Sequence, residues 1–216
     1  MSRIAPLEPK NLTADMANLM NQATHFMGFT PNDALIMARL PALAEAVNDM
    51  LAALYGPNGK LPIEIKRLAT LIFSAAAGCT YCTSHTAFGA AQHGIPQAKL
   101  DALWEYQTSP LFSEAERAAL QLAQTAAFTP PLVTDEIFAN VKNYFSDDEI
   151  IELVGVIAVF SFLNKWNSVL ATEIENDPLS FIRKNPIPLN KANDKAKDKA
   201  KDKANDKANS KTSRKD

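Results

Sequence analysis

The sequence predicts an all-α fold, on three observations. Apolar residues recur at helical spacing along most of the chain before residue 176. No segment alternates apolar and polar residues with period two. Only seven of the 216 residues are glycine, too few for many β-turns. The elements follow in order. Residues 34–55, "ALIMARLPALAEAVNDMLAALY", carry apolar positions at helical spacing, with Pro41 marking a break or kink. Pro62 opens a helix that runs to about Ala77, because proline suits the first helical position, and Gly78 closes it. A second helix follows from Cys79 to Gly94. His93 lies in its last turn, where the helix dipole favours a histidine as a cap. Ser113 with Glu116, and Ser146 with Glu149, have capping-box spacing ahead of apolar-periodic runs.

The chain also repeats itself. "EIKRLATLIFSAAAGCTYCTSH" (64–85) aligns without gaps on "EIIELVGVIAVFSFLNKWNSVL" (149–170), at a constant offset of 85 residues. Glu64 then meets Glu149, Leu68 meets Leu153, and Cys79 and Cys82 meet Asn164 and Asn167. This predicts two copies of a long helix followed by a sharply linked second helix, packed about a local pseudo-two-fold axis. The halves span about 34–110 and 111–176. Only the first copy carries thiols. Asn164, Trp166 and Asn167 in the second read either as core and helix-end residues or as lining of the same pocket.

The helical domain spans 1–189, and its last stretch, 176–190, reads as a linker because it holds three prolines. Residues 191–216 form a separate tail built on a four-residue repeat of Lys, Ala and Asp. It has no apolar face beyond alanine and is expected to be disordered. Ten Lys or Arg against five Asp give the tail +5, which leaves −7 on the remainder and −2 overall. That balance gives no general attraction to nucleic acid or to an anionic membrane. The amino terminus shows no apolar signal region, and the longest apolar run, Leu153 to Leu163, is shorter than the ~20 residues that span a bilayer. A cytoplasmic protein is expected, and stable structural disulfides are rare there.

The chemistry concentrates in "GCTYCTSHTAFGAAQHG" (78–94), which holds both cysteines and two of the three histidines. On a helix, Cys82 lies about 60° around the axis from Cys79, and His85 about 60° further on. Cys82 is thus flanked by Cys79 one turn before and by His85 one turn after. Cys79 stands at the helix amino terminus, where the dipole favours a thiolate. His85 is placed to take a proton from Cys82. One thiolate can attack an oxidised substrate and become a sulfenic acid, and its neighbour can resolve that as a disulfide. An external dithiol must then reduce the disulfide. A zinc site would need a fourth ligand, for which only His25 or His93 remains. The redox chemistry calls for no bound cofactor or metal.

"AAAGCTYCTSHTAFGAA" resembles the AhpD-like alkylhydroperoxidases of the carboxymuconolactone decarboxylase superfamily, and the similarity extends over roughly residues 35 to 175. The resemblance implies an all-α, AhpD-like helical bundle with an internal two-fold helical repeat. It also implies a homo-oligomer, commonly a trimer or hexamer and sometimes a dimer, and a peroxide substrate reduced through the cysteine pair. A glutamate and a histidine would relay protons, and an external dithiol or thioredoxin-like protein would be the reductant. Two positions depart from the family pattern. Its histidine commonly lies four residues after the second cysteine, where this chain has Thr86; the histidine here is His85. Its glutamate lies twelve residues before the first cysteine, where this chain has Arg67. Glu64 is the nearest substitute, with Glu173 and Glu175 as further alternatives. The roles expected are Cys82 as peroxidatic thiol, Cys79 as resolving thiol facing the reductant, His85 as base and Glu64 as relay. The helix terminus argues for the two cysteine roles reversed. The "FSFL" and "SAAA" runs suggest helix faces available for self-association. A non-redox lactone decarboxylase and an oligomeric scaffold with a recruiting tail are the rival readings.

Overall fold

A computed structural model describes residues 1–189; the Lys/Asp/Ala tail lies outside the described residues. Ten helices follow in order: α1 Ala14–Met27, α2 Asn32–Met37, α3 Pro41–Tyr55, α4 Ile63–Ala77, α5 Thr80–Gln92, α6 Gln97–Asp101, α7 Glu114–Ala126, α8 Asp135–Lys142, α9 Asp147–Leu170 and α10 Asn176–Lys184. No strand occurs among the described residues. The fold is an all-α, AhpD-like bundle.

Helix α4 is its axis. Every residue from Ile65 to Ala76 is buried, because α5, α7 and α9 close round it. A helix buried on all sides must satisfy its polar groups internally. The Thr70 hydroxyl donates back to the Lys66 carbonyl at 3.0 Å, and Ser74 Oγ accepts from Asn164 Nδ2 at 3.1 Å. Lys66 forms an ion pair with Glu152 of α9 and donates to the Leu54 carbonyl at 2.6 Å. Glu152 also accepts the backbone N–H groups of Lys60 and Leu61, at 2.8 and 3.0 Å, so one half-buried carboxylate fastens the α3–α4 loop to α9.

The capping signals hold. Ser113 and Ser146 each accept from the backbone three residues on, and Glu116 and Glu149 reach back, completing two capping boxes. Pro41 marks the break between α2 and α3 and is the first residue of α3, while Pro62 stands one position before α4. Gly78 takes the left-handed conformation, φ 75°, that a sharp helix reversal requires of a residue without Cβ.

Two expectations about elements need correction. The second copy of the repeat has no break: α9 runs unbroken for 24 residues. At the offset of 85, the position of Gly78 is occupied by Leu163, and without the glycine the helix continues. The two copies still pack together, and the aligned pair Cys82 and Asn167 touch, Sγ to Nδ2 at 3.6 Å. The second correction concerns the stretch 176–190, of which residues 176–189 are described. They do not form a free linker: α10 packs along α5, with Phe181 and Ile182 against the core and Ile187 buried. Pro178 sits in the first turn of α10, where a missing N–H removes no helix bond.

The "SAAA" run is likewise consumed internally: Ser74, Ala75 and Ala76 are buried within α4. By length and composition α9 could cross a membrane, but its inner face lies in the bundle core. Its outer face leaves Ile151, Val154, Phe162 and Val169 exposed.

Candidate active site

The α4–α5 joint positions both thiols. The Cys79 N–H donates to the Ser74 carbonyl at 3.1 Å, and Cys79 becomes the amino-terminal cap of α5. Its Sγ accepts the backbone N–H of Cys82 at 3.4 Å. Both cysteines are buried and free. The Cys82 thiol, aided by the backbone N–H groups of Cys82 and Tyr81 and by the Ser168 hydroxyl, outweighs burial and holds Cys79 down to about 7. Cys82 moves the other way. Burial, the proximity of Cys79 and the charge of Asp33 push its thiol well above the ordinary range, and the hydrogen bond from Asn167 only partly opposes them. Cys79 is therefore the more acidic thiol of the pair.

The two sulfurs face different spaces. Cys82 lines a cavity of about 480 Å³ walled mainly by apolar side chains of α1, α2, α3 and α9, including Met20, Met37, Leu51 and Leu163. His85, Tyr81, Tyr55, Asp33 and Arg67 are among its polar members, with Gln22, Asn48 and Thr86. Cys79 lines a second, more polar cavity of about 690 Å³, together with Asn164, Lys165, Asn167 and Ser168 of α9.

His85 is buried beside Cys82 and held on three sides. Its ring lies over Tyr81, one turn before it on α5, with centroids 4.0 Å apart, and meets Phe29 edge-on at 5.2 Å. Its Nε2 contacts Glu175 Oε2 at 2.5 Å. Glu175 caps α10, accepts the Tyr81 hydroxyl at 2.9 Å and accepts the backbone N–H of Asn32. Burial opposes ionisation of Glu175, but the His85 hydrogen bond and charge, joined by the Asn32 N–H, hold its carboxyl below the usual carboxylate range. The network continues: the Asp33 N–H donates to Tyr81 Oη at 3.3 Å, and Asn167 Nδ2 lies 3.0 Å from Asp33 Oδ2 and 3.6 Å from Cys82 Sγ. An unbroken chain of polar contacts thus links His85 and Glu175 to the buried thiol.

Of the residues singled out in the sequence, the fold brings Cys79, Cys82 and His85 together. Glu64 is exposed in the first turn of α4 and lines neither cavity. Glu175 is the carboxylate delivered to His85. The histidine ring is turned to Glu175, and the side chain bonded to Cys82 Sγ is Asn167. Asn164 and Asn167 line the Cys79 cavity, whereas Trp166 packs against the cluster around Met16 and Met37. Thr86 lines the Cys82 cavity and donates to the Cys82 carbonyl at 2.7 Å. Sequence reasoning missed Tyr81, Asn32 and Asp33. Tyr81 had a local signal, lying four residues before His85 on one helix face. The two α2 residues had none, for only the fold brings them here.

Residues 41–125 match the carboxymuconolactone decarboxylase family. The crystal structure of the debrominase Bmp8 superposes with TM-score 0.76 at 32% identity, covering 82% of this chain and 94% of that one. The chain belongs to the carboxymuconolactone decarboxylase superfamily. A cysteine-to-alanine variant of the same debrominase, in complex with 2,3,4-tribromopyrrole, superposes with TM-score 0.78 at 31% identity over 84% of this chain and 96% of that one. A peroxidase-related protein with an AhpD core from Ralstonia eutropha JMP134 shares the fold, with TM-score 0.72 at 19% identity over 82% of this chain and 94% of that one. YnjA of Escherichia coli strain K12 is 26% identical over 132 residues, which are 61% of this superfamily member and 72% of YnjA.

Proposed function

We propose that this protein is a thiol-dependent peroxidase that reduces an organic hydroperoxide at Cys82 and is re-reduced at Cys79. One observation supports the reading: the thiols of one helix turn line different cavities, Cys82 a largely apolar one with His85, Cys79 a more polar one. A cavity of about 480 Å³ with apolar walls suits an organic body better than hydrogen peroxide alone.

Cys82 passes its proton to the Cys79 thiolate and attacks the outer oxygen of the hydroperoxide. The O–O bond breaks, Cys82 becomes a sulfenic acid, and the departing alkoxide takes a proton from the His85–Glu175 pair. Cys79 then attacks Cys82 Sγ, and the hydroxyl leaves as water with the Cys79 proton. One hydroperoxide and two thiols yield an alcohol, water and a disulfide. An external dithiol or thioredoxin-like protein attacks Cys79 from the polar cavity. This chemistry needs a reducing compartment such as the cytoplasm.

The likeness to a debrominase favours a second reading with the same electron count. Cys82 would take bromine from an aryl bromide, the ring carbon would gain a proton, and Cys79 would expel bromide as the disulfide forms.

One experiment tests both readings against a non-redox decarboxylase. The reduced protein is mixed anaerobically with cumene hydroperoxide or with 2,3,4-tribromopyrrole, and thiols, cumyl alcohol and bromide are measured. Two thiols should disappear per alcohol formed, within one chain. Cys82→Ser should abolish this, and His85→Ala should slow it by about 10²–10⁴-fold. Bromide release without alcohol selects the second reading. Survival of both thiols in excess of both compounds rules out each.

A further inference from the structure

The proposed chemistry gives no task to the amide that touches the Cys82 sulfur. Asn167 stands in the last turn of α9 and is 2% exposed. Its backbone is fixed there, because its carbonyl accepts the N–H groups of Ala171 and Thr172, the latter at 3.1 Å. Its side-chain Nδ2 lies 3.0 Å from Asp33 Oδ2 and 3.6 Å from Cys82 Sγ. A carboxylate oxygen only accepts, so the amide must turn its NH2 group, not its carbonyl, toward Asp33. One N–H then serves the carboxylate and the other the sulfur. Asp33 is itself held: its Oδ1 accepts the Ala34 N–H at 2.8 Å, and its own N–H donates to Tyr81 Oη at 3.3 Å.

Sulfur accepts weakly as a thiol and more strongly as a thiolate, so this bond strengthens as Cys82 gives up its proton. Burial, Cys79 and Asp33 all oppose charge on that sulfur, and the Asn167 bond works against them. The other ionisable side chains on the Cys82 cavity are Tyr81 and His85 of α5, Tyr55 of α3 and Arg67 of α4. His85 turns its Nε2 to Glu175.

We infer that Asn167 is a catalytic residue, the donor that stabilises the Cys82 sulfur as it becomes the attacking anion, and that Asp33 positions its amide. The inference rests on reading Cys82 as the attacking thiol. It gives the second copy of the repeat a part in the chemistry, since the residue aligned with Cys82 serves that cysteine.

The test reads the thiol without any oxidant, so it stands apart from peroxide or bromide turnover. Cys79→Ser leaves Cys82 as the sole thiol, and its alkylation by iodoacetamide at about pH 8 is timed. In that background Asn167→Leu should alkylate about three- to tenfold more slowly, because the lost thiolate fraction outweighs the gain in nucleophilicity. A merely structural role predicts the opposite sign, since a loosened site exposes Cys82 and speeds alkylation. An unchanged or faster rate would overturn the inference. A second readout changes nothing at Asn167. With isotope-labelled asparagine in the Cys79→Ser protein, one side-chain amide signal should shift in step with the ultraviolet absorbance of the thiolate as pH rises. Thiolate forming with no such shift would equally overturn it. Asp33→Ala is then made with and without Asn167→Leu. Removing the charge should speed alkylation in both, but less where Asn167 is present, because that amide loses its orientation. Equal gains would overturn the positioning role of Asp33. Failure of wild-type turnover with cumene hydroperoxide while this pattern holds would overturn the peroxidase reading instead.

Discussion

At the residue scale, two thiols one helical turn apart acquire opposite characters because only one of them is a cap. The Cys79 sulfur collects donors that favour its charge, and the Cys82 sulfur is enclosed and faces Asp33. Alkylation of Cys79 by iodoacetamide should therefore rise with pH through about 7, as its thiolate forms. Cys82 should stay unmodified over the same range, and Cys82→Ala, which removes the thiol donor, should move the Cys79 midpoint upward. Peptide mapping after timed alkylation reads both; a Cys82 that reacts first would reverse the assignment. The sequence announced the cap and the cluster of Cys79, Cys82 and His85 on one helix, because helix position and i, i+3 spacing are local properties. It offered Glu175 only as an alternative, because Glu175 meets His85 across 90 residues, and it gave no sign of Asp33, which meets Asn167 across 134. Spacing arguments favoured Glu64, one turn from the family position, but that side chain faces outward.

At the element scale, the bundle is organised by a helix with no exposed face, and its buried cation must be matched. Lys66→Met leaves the half-buried Glu152 carboxylate without its cation and should destabilise the protein by about 1–3 kcal/mol in urea unfolding. Glu152→Leu should do similar harm from the other side. The double variant should recover most of the loss, because apolar replacement of both partners removes the uncompensated charge. A double variant as unstable as the two losses combined would mean the pair acts through packing alone. Helix boundaries were legible wherever a cap or a glycine marked them, as at Ser113, Ser146 and Gly78. They failed at α10, where three prolines suggested a linker. One proline stands in a first turn and two follow the helix, positions that proline tolerates.

At the scale of the whole molecule, α9 presents an apolar stripe outward. Ile151, Val154, Phe162 and Val169 fall within one third of the helix circumference and are 38–72% exposed. A second copy of the chain is the expected cover, consistent with the oligomers that the AhpD resemblance implies. Light scattering of residues 1–189 at micromolar concentration should report a homo-oligomer, and Val154→Glu with Phe162→Glu should reduce it to monomer. A wild-type monomer would sink the idea. Deleting residues 191–216 should leave the assembly intact.

The placement of Glu175 has a consequence for how the protein is made. The ribosome releases both cysteines and His85 long before residues 175–187, and the contact between Asn32 and Glu175 closes a span of 143 residues. Contacts that distant form late in folding, after their loop-closure entropy has been met. A nascent chain ending near Leu170 carries its thiols and its imidazole but no carboxylate to hold that imidazole. The His85–Glu175 contact therefore comes into being only after nearly the whole helical domain has been synthesised, so that corner of the cavity is among the last parts of the fold to be fixed.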